Sequence, residues 1–281
     1  MTLEEAYRYS IKTLKDIHDP EEAARITELL FEDIFGISKL KRITNGHLPF
    51  NEQQHLDQLL MRLTKGEPYQ HIVGYTRFCD KKILVSKSVL IPRPETEELF
   101  YWMKERRANL KTQVIADICT GSGCLAIAAR AHFQEAHILA CDISYDALEK
   151  SIMSERYNFI SNSIEWFQMN ILNESWTRQW PDVVISNPPY ILESESEQMS
   201  RVVLDYEPHI ALFAKGKDPL IFYKRIIELF TGEKMPEIYF EMNPLTAVDL
   251  LKFCEERQLE MEIGVDMSGK ERFARINRKV G

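Results

Sequence analysis

The 281-residue sequence has no surplus of positive charge: 35 Lys and Arg stand against 43 Asp and Glu, a net of −8. A non-specific nucleic-acid binder usually carries a basic excess, so stable nucleic-acid binding is not expected, although a local basic patch is not excluded. Long apolar runs are missing too. No window nears the roughly 18 consecutive residues that a membrane span needs, so no membrane partner is expected. The start, Met1-Thr2-Leu3-Glu4-Glu5, lacks the basic-then-apolar order of a secretory leader. Cysteines number five (Cys79, Cys119, Cys124, Cys141 and Cys254), an odd count without any Cys-x-x-Cys pair. A disulfide framework or zinc site is therefore not expected, and a soluble, reduced, cytoplasmic protein is. The seven histidines form no His-x-x-x-His pattern, so no metal is expected. Gly and Pro (11 and 12) are at ordinary levels, which excludes collagen-like and low-complexity readings. What is present is 44% apolar residues, enough for one large domain or two smaller ones.

The first 65 or so residues read as helices. Thr2 with Glu5, and Asp19-Pro20 with Glu22, have capping-box spacing. Ala23, Ile26, Leu29, Leu30 and Ile34 keep helical spacing up to a stop at Gly36. Asn51 is placed to cap a third helix that buries Leu56, Leu59, Leu60 and Leu63 and ends near Gly66. His71–Tyr75 and Ile83–Val85 read as short strands of a hairpin. In Ile91-Pro92-Arg93-Pro94-Glu95-Thr96-Glu97 the prolines hold an extended lead, and Pro94 suits the first turn of a helix running to about Asn109.

From Gln113 apolar strands alternate with helices. Strands are expected at 114–118, 138–142, 164–168, 183–186 and 237–241, and helices at 123–131, 145–159 and 220–230. A closing strand pair is expected at 261–265 and 272–276. This alternation indicates a parallel sheet covered on both faces. The four Trp residues, Lys81-Lys82 and Arg106-Arg107 read as packing or solvated faces.

Two constellations carry chemistry. Asp117-Ile118-Cys119-Thr120-Gly121-Ser122-Gly123 follows the first strand of the alternating region and opens a helix. Glycines there let a ligand approach the backbone. Asp142, at the end of the next strand, can accept bonds from both hydroxyls of a ribose. Gly121-x-Gly123-x-x-Ala126 also fits a dinucleotide fingerprint, so this pair leaves NAD-type and S-adenosylmethionine-type ligands equally open. Asn187-Pro188-Pro189-Tyr190 decides between them. Two prolines cannot continue a central strand, so the chain leaves the sheet with Asn187 at the ligand-facing end. An amide or aryl-amine nitrogen is a poor nucleophile because its lone pair is delocalised. The Asn187 side-chain oxygen and the Pro188 carbonyl can each accept one of its N–H groups, fixing the nitrogen for in-line attack on a sulfonium methyl. Tyr190 offers a flat face for stacking.

Together these residues resemble the HemK/PrmC-type peptide chain release factor glutamine methyltransferases. The matching stretches are Gly66-Glu67-Pro68-Tyr69-Gln70-His71-Ile72-x-Gly74 with Phe78; Val89 to Glu97; Thr120 to Gly123; Asp142-Ile143-Ser144; Asn187 to Ile191; and Tyr206-Glu207-Pro208 with Ala211-Leu212. Pro92-Arg93-Pro94-Glu95-Thr96-Glu97 is the most specific, whereas Asn-Pro-Pro-Tyr alone is shared with DNA amino-methyltransferases. The resemblance implies an α/β fold: a seven-stranded, Rossmann-like class I S-adenosylmethionine-dependent methyltransferase domain at 93–281. A small helical substrate-docking domain at 1–70 and a β-hairpin linker at 71–92 would precede it. The implied reaction methylates the side-chain amide of the glutamine in the Gly-Gly-Gln motif of class I peptide chain release factors, the protein partners. S-adenosyl-L-methionine would be held by Cys119, Thr120, Gly121, Ser122, Gly123, Asp142, Asn170, Ile171 and Asn187. Asn187, Pro188, Pro189 and Tyr190 would grip the substrate and form the catalytic set. The alternatives are a ribosomal-protein glutamine methyltransferase, a DNA amino-methyltransferase, and a non-catalytic module retaining the cofactor fold. Glu207 could line the substrate entrance or hold a turn. Three positions depart from the family: Cys119 where most members have Gly, Asn170 where Asp is usual, and Glu241-Met242-Asn243-Pro244 where a Glu-x-Gly stretch is usual.

Overall fold

The computed structural model describes residues 1–107, 113–160, 164–214, 216–232 and 234–279. They form two compact units, Met1–Tyr75 and Thr76–Gly281. The first is helical. Helix α1 (Leu3–Leu14) starts with the expected capping box, Thr2 and Glu5 satisfying each other's backbone N–H groups. Helix α2 (Pro20–Asp33) is capped by Asp19, which accepts from the N–H groups of Glu21 and Glu22. A short α3 (Lys39–Asn45) follows. Helix α4 (Gln53–Thr64) buries Leu56, Leu59, Leu60 and Leu63 as expected, but its cap is Glu52 and not Asn51. The expected strand at His71–Tyr75 is replaced by helix α5 (Tyr69–Val73), closed by Gly74 at φ +80°. The physical reason is packing: Tyr69 and Ile72, three apart, lie against the helical core around Leu30, Phe31 and Leu63. The hydroxyls of Tyr69 and Tyr75 both donate to Asp33 at the end of α2.

The hairpin consists of β1 (Tyr75–Phe78) and β2 (Lys81–Leu84), turned through Cys79 and Asp80, both at positive φ. The Asn158 amide pairs with the backbone N–H and C=O of Lys82, and Ser154 accepts from Leu84 N–H, so a free strand edge is covered. Helix α6 (Pro94–Arg107) begins at Pro94 as expected. Its expected end at Asn109 lies outside the described residues.

The main sheet contains β3 (Val114–Ile118), β4 (His137–Asp142), β5 (Glu165–Gln168), β6 (Val183–Ser186), β7 (Glu237–Glu241), β8 (Leu259–Val265) and β9 (Glu271–Arg278). Their order is β5-β4-β3-β6-β7-β9-β8; β9 runs antiparallel to both its neighbours and the other pairings are parallel. Helices α7 (Cys124–His132) and α8 (Tyr145–Tyr157) connect the first three strands. Between β6 and β7 lie α9 (Arg201–Tyr206), α10 (His209–Leu212) and α11 (Ile221–Phe230), and α12 (Ala247–Glu256) precedes β8. The excursion after β6 is pinned at its base, where Ile191 N–H donates to the Leu212 carbonyl and Ala214 N–H to the Ile191 carbonyl. Along β3, Val114, Ala116 and Ile118 enter one core and Ile115 the other, so both faces of the sheet are covered. Arg106 and Arg107 are not a merely solvated face: they pair with Glu262 and Glu237 at 2.5 and 2.6 Å. Among the described residues, no helix is long and apolar enough to cross a membrane.

Candidate functional site

The chain leaves β3 in one direction to build β4 and β5 and returns on the other side to build β6 and β7. Ligands of open α/β sheets bind beyond the carboxyl ends of strands at such a reversal. Here Ile118 is in register with Cys141 on one side and Ser186 on the other. The next residues, Cys119, Asp142 and Asn187, therefore emerge side by side. They line one cleft of about 730 Å³, together with Thr120, Gly121, Ser122, Asn170, Ile171 and Pro189. Its outer walls come from Ser88–Leu90 and from Leu204 to Ala211 of the excursion after β6.

The loop after β3 takes an unusual path, with Cys119, Gly121 and Gly123 all at positive φ (+59°, +53° and +77°). The two glycines differ in purpose. A Cβ on Gly121 would meet nothing within 4 Å, so its backbone faces open cleft. A Cβ on Gly123 would lie 2.8 Å from Ser151 and Trp166. Gly123 is not among the cleft-lining residues; it allows α7 to pack. Cys119 occupies a conformation that favours glycine, which gives the usual residue there its physical reason. Its thiol is pushed well above the usual range by burial, as are those of Cys124 and Cys141.

Asp142 accepts from Gly121 N–H at 2.8 Å and from Ser144 N–H at 2.9 Å. Burial raises its pKa, and these backbone donors oppose the rise. Ile143 N–H is a third backbone donor to this carboxylate, which still leaves acceptor capacity for a ligand hydroxyl. Asn170 uses its side-chain oxygen locally, accepting from Leu172 N–H at 3.1 Å. Asp117 is a residue for which the sequence reading assigned no site role. Its Oδ2 accepts from Thr120 and Ala126, while Oδ1 is buried and has no partner among the described residues. Burial raises this carboxyl to about 7.

Asn187 is held by its Nδ2, which donates to Thr96 Oγ1 at 3.1 Å. Among the described residues no protein donor meets the Asn187 Oδ1 or the Pro188 carbonyl. Pro188 is buried, and neither it nor Tyr190 is among the cleft-lining residues. The Tyr190 hydroxyl donates to Glu241 at 3.2 Å. Thr96 belongs to the most specific matching stretch and Glu241 to the altered Glu-x-Gly stretch, and the structure links both to Asn187 and Tyr190. Glu207 is buried and ion-paired with Arg93 at 2.6 Å, tying the Pro92–Glu97 segment to the α9–α10 corner. Its neighbours Asp205, Pro208 and His209 line the cleft. In place of a Glu-x-Gly turn, Asn243 caps a short 3-10 turn at Pro244–Thr246 that leads into α12. No group of three or more His, Cys, Asp or Glu suited to a metal occurs among the described residues.

A seven-stranded sheet of this order, with a glycine loop, an acidic second-strand end and an Asn-Pro-Pro-Tyr turn at one cleft, defines the Rossmann-like methyltransferase class. The hMettl16 catalytic domain, solved with a MAT2A 3′UTR hairpin, shares this fold at TM-score 0.58 and 15% identity, over 70% of this chain and 75% of that one. Family models match as the PrmC N-terminal domain over residues 5–74 and the methyltransferase small domain over residues 96–206. The chain is 33% identical to the release factor glutamine methyltransferase of Bacteroides thetaiotaomicron, covering 96% of this chain and 98% of the relative. It is 30% identical to that of Flavobacterium psychrophilum, covering 95% and 96%. The chain belongs to the release factor glutamine methyltransferase family.

Proposed function

We propose that this protein transfers a methyl group from S-adenosyl-L-methionine to the side-chain amide nitrogen of the glutamine in the Gly-Gly-Gln motif of class I peptide chain release factors. The observation carrying this reading is the meeting of Asn187 and Pro189 with Cys119–Ser122 and Asp142 in one cleft. The cleft fits the donor: Gly121 leaves its backbone open, and Asp142 is a carboxylate with acceptor capacity beyond its backbone donors. The donor, when bound, supplies an electrophilic methyl on a sulfonium. Cys119 to Ser122 would hold its methionine part, Asp142 its ribose, and Asn170 and Ile171 would flank its adenine.

Asn187 Oδ1 accepts one N–H of the target amide and the Pro188 carbonyl accepts the other. Both acceptors fix the nitrogen, stabilise the positive charge that develops on it in the transition state, and aim its lone pair in line. Transfer of the methyl would leave the donor as a neutral thioether and the nitrogen with one surplus proton, which would pass to water once the N–C bond is made. A neutral Asn suits the task because it does not compete with the sulfonium charge. Tyr190 supports the turn from behind through Glu241. The unit Met1–Tyr75 is read as the docking domain for the protein substrate.

The test is transfer of labelled methyl to a class I release factor, with a Gly-Gly-Ala form as control. Label on the first and none on the second is expected; label on both would refute the glutamine assignment. Asn187→Ala is expected to lose roughly 100-fold or more in kcat with donor affinity retained, since one transition-state acceptor is gone. Asp142→Ala is expected to weaken donor binding in calorimetry, and an unchanged Kd would remove the ribose assignment.

A further inference from the structure

At the cleft wall, where Thr96 and Asn187 both line the cavity, a chain of hydrogen bonds joins three elements. The Asn187 Nδ2 amide donates to Thr96 Oγ1 at 3.1 Å. Thr96 is buried in the first turn of α6, and its hydroxyl donates to Glu241 Oε2, 2.6 Å away at the end of β7. The Tyr190 hydroxyl reaches the other carboxylate oxygen at 3.2 Å. A hydroxyl has one proton to give. With that proton committed to a carboxylate, Thr96 presents only lone pairs to Asn187. The nitrogen end of the amide must therefore face Thr96, which turns the oxygen end away from it.

We infer that Thr96 and Glu241 are positioning residues that lock the Asn187 carboxamide in the one orientation whose oxygen can accept the target N–H. This inference rests on the reaction proposed above. A flipped Asn187 would place an NH2 group against the target's own NH2, donor against donor. Asparagine cannot choose its orientation by shape, because its two ends are nearly isosteric. A fixed partner has to choose for it.

The lock depends on an ionised Glu241. Arg272 from β9, Glu95 from α6 and Tyr190 after β6 act on this carboxyl, and Tyr223 from α11 donates to the Glu241 backbone carbonyl at 3.1 Å. Burial pushes Glu241 up, and the bond from Thr96, the Arg272 charge and the bond from Tyr190 oppose it, while Glu95 adds to it. A protonated Glu241 can donate to Thr96, which frees the Thr96 proton to turn toward Asn187 Oδ1. The active orientation then loses its support as pH falls through the raised value.

The experiment uses the full chain with Thr96→Val, Thr96→Ser and Glu241→Gln. It measures kcat and KM on a class I release factor, Kd for S-adenosylmethionine by calorimetry, and the Asn187 side-chain amide signals by NMR without donor. Thr96→Val is expected to lower kcat roughly 10- to 100-fold while the donor Kd stays within about twofold. Thr96→Ser, which keeps the hydroxyl, is expected to restore most of the rate. Across a pH series of kcat, the wild type is expected to fall on the acid side, and Glu241→Gln is expected to be slow and to lack that fall. The Asn187 amide protons should exchange slowly in the wild type and in Thr96→Ser, and fast in Thr96→Val. Wild-type kcat in Thr96→Val, or a serine variant as poor as the valine, would overturn the inference; so would parallel loss of rate and donor binding. A wild type that transfers nothing but keeps the protected Asn187 amide would instead refute the proposed reaction and leave the lock standing.

Discussion

Asp117 is buried near the end of β3, with one carboxylate oxygen bonded to Thr120 and Ala126 and the other without a partner among the described residues. Its carboxyl is raised by burial from the ordinary 3.8 to about 7. The folded chain thus holds this proton more tightly than the unfolded chain does. Stability contributed by the protonated form is present below the ordinary value and is lost as pH rises through about 7. Denaturant midpoints at pH 5 and pH 8 should show this decline, and Asp117→Asn should flatten it, because a neutral amide has no charged form to desolvate. A decline of the same size in the variant would assign the effect to other groups. At this scale the sequence was informative where chemistry and position coincide. Asn187, Asp142 and the glycine loop announce themselves because each lies just past a strand end. Thr96 and Glu241 do not, because they are 145 positions apart and meet only after α6 packs beside β7.

At the scale of elements, the turn from β3 into α7 separates two roles of glycine. Gly123→Ala places a methyl 2.8 Å from Ser151 and Trp166, in a backbone conformation that L residues avoid. It is expected to cost about 2–4 kcal/mol in chemical denaturation. Gly121→Ala has open space and is expected to cost about 1 kcal/mol from the backbone alone. Equal losses would mean that packing against α8 and β5 is unimportant. Strands β6 and β7 match their expected limits because short apolar stretches are followed closely by proline turns, Asn187-Pro188-Pro189 and Asn243-Pro244. His71–Tyr75 reads as a strand because Ile72, Val73 and Tyr75 suit one locally, whereas the packing partners that make Tyr69–Val73 a helix lie elsewhere in the first unit. Helix α9 was invisible for the opposite reason: it buries no residue, so it shows no apolar period. Helix α12 did carry a signal in Ala247, Leu250, Phe253 and Cys254, which the strand-by-strand reading passed over.

For the whole molecule, each unit has its own apolar core, one around Leu14, Leu30, Phe31 and Leu60, the others on the two faces of the sheet. Every residue lining the cleft belongs to Thr76–Gly281. A fragment starting at Gly74, which keeps β1 intact, is therefore expected to bind S-adenosylmethionine with the Kd of the full chain. It is expected to lose most of its kcat/KM toward a release factor if the first unit docks the substrate. Calorimetry and methyl transfer on the same preparation separate these effects, and full activity in the fragment would remove the docking role. Both ends of the excursion between Ile191 and Ala214 meet in a two-bond clasp, Ile191 N–H to Leu212 and Ala214 N–H to Ile191, and the buried Glu207 pins its middle to Arg93. The segment is in effect an exchangeable cassette held at its base and at one rivet: a stretch of different length or composition that keeps Glu207 would reshape the mouth of the cleft without asking the sheet to refold.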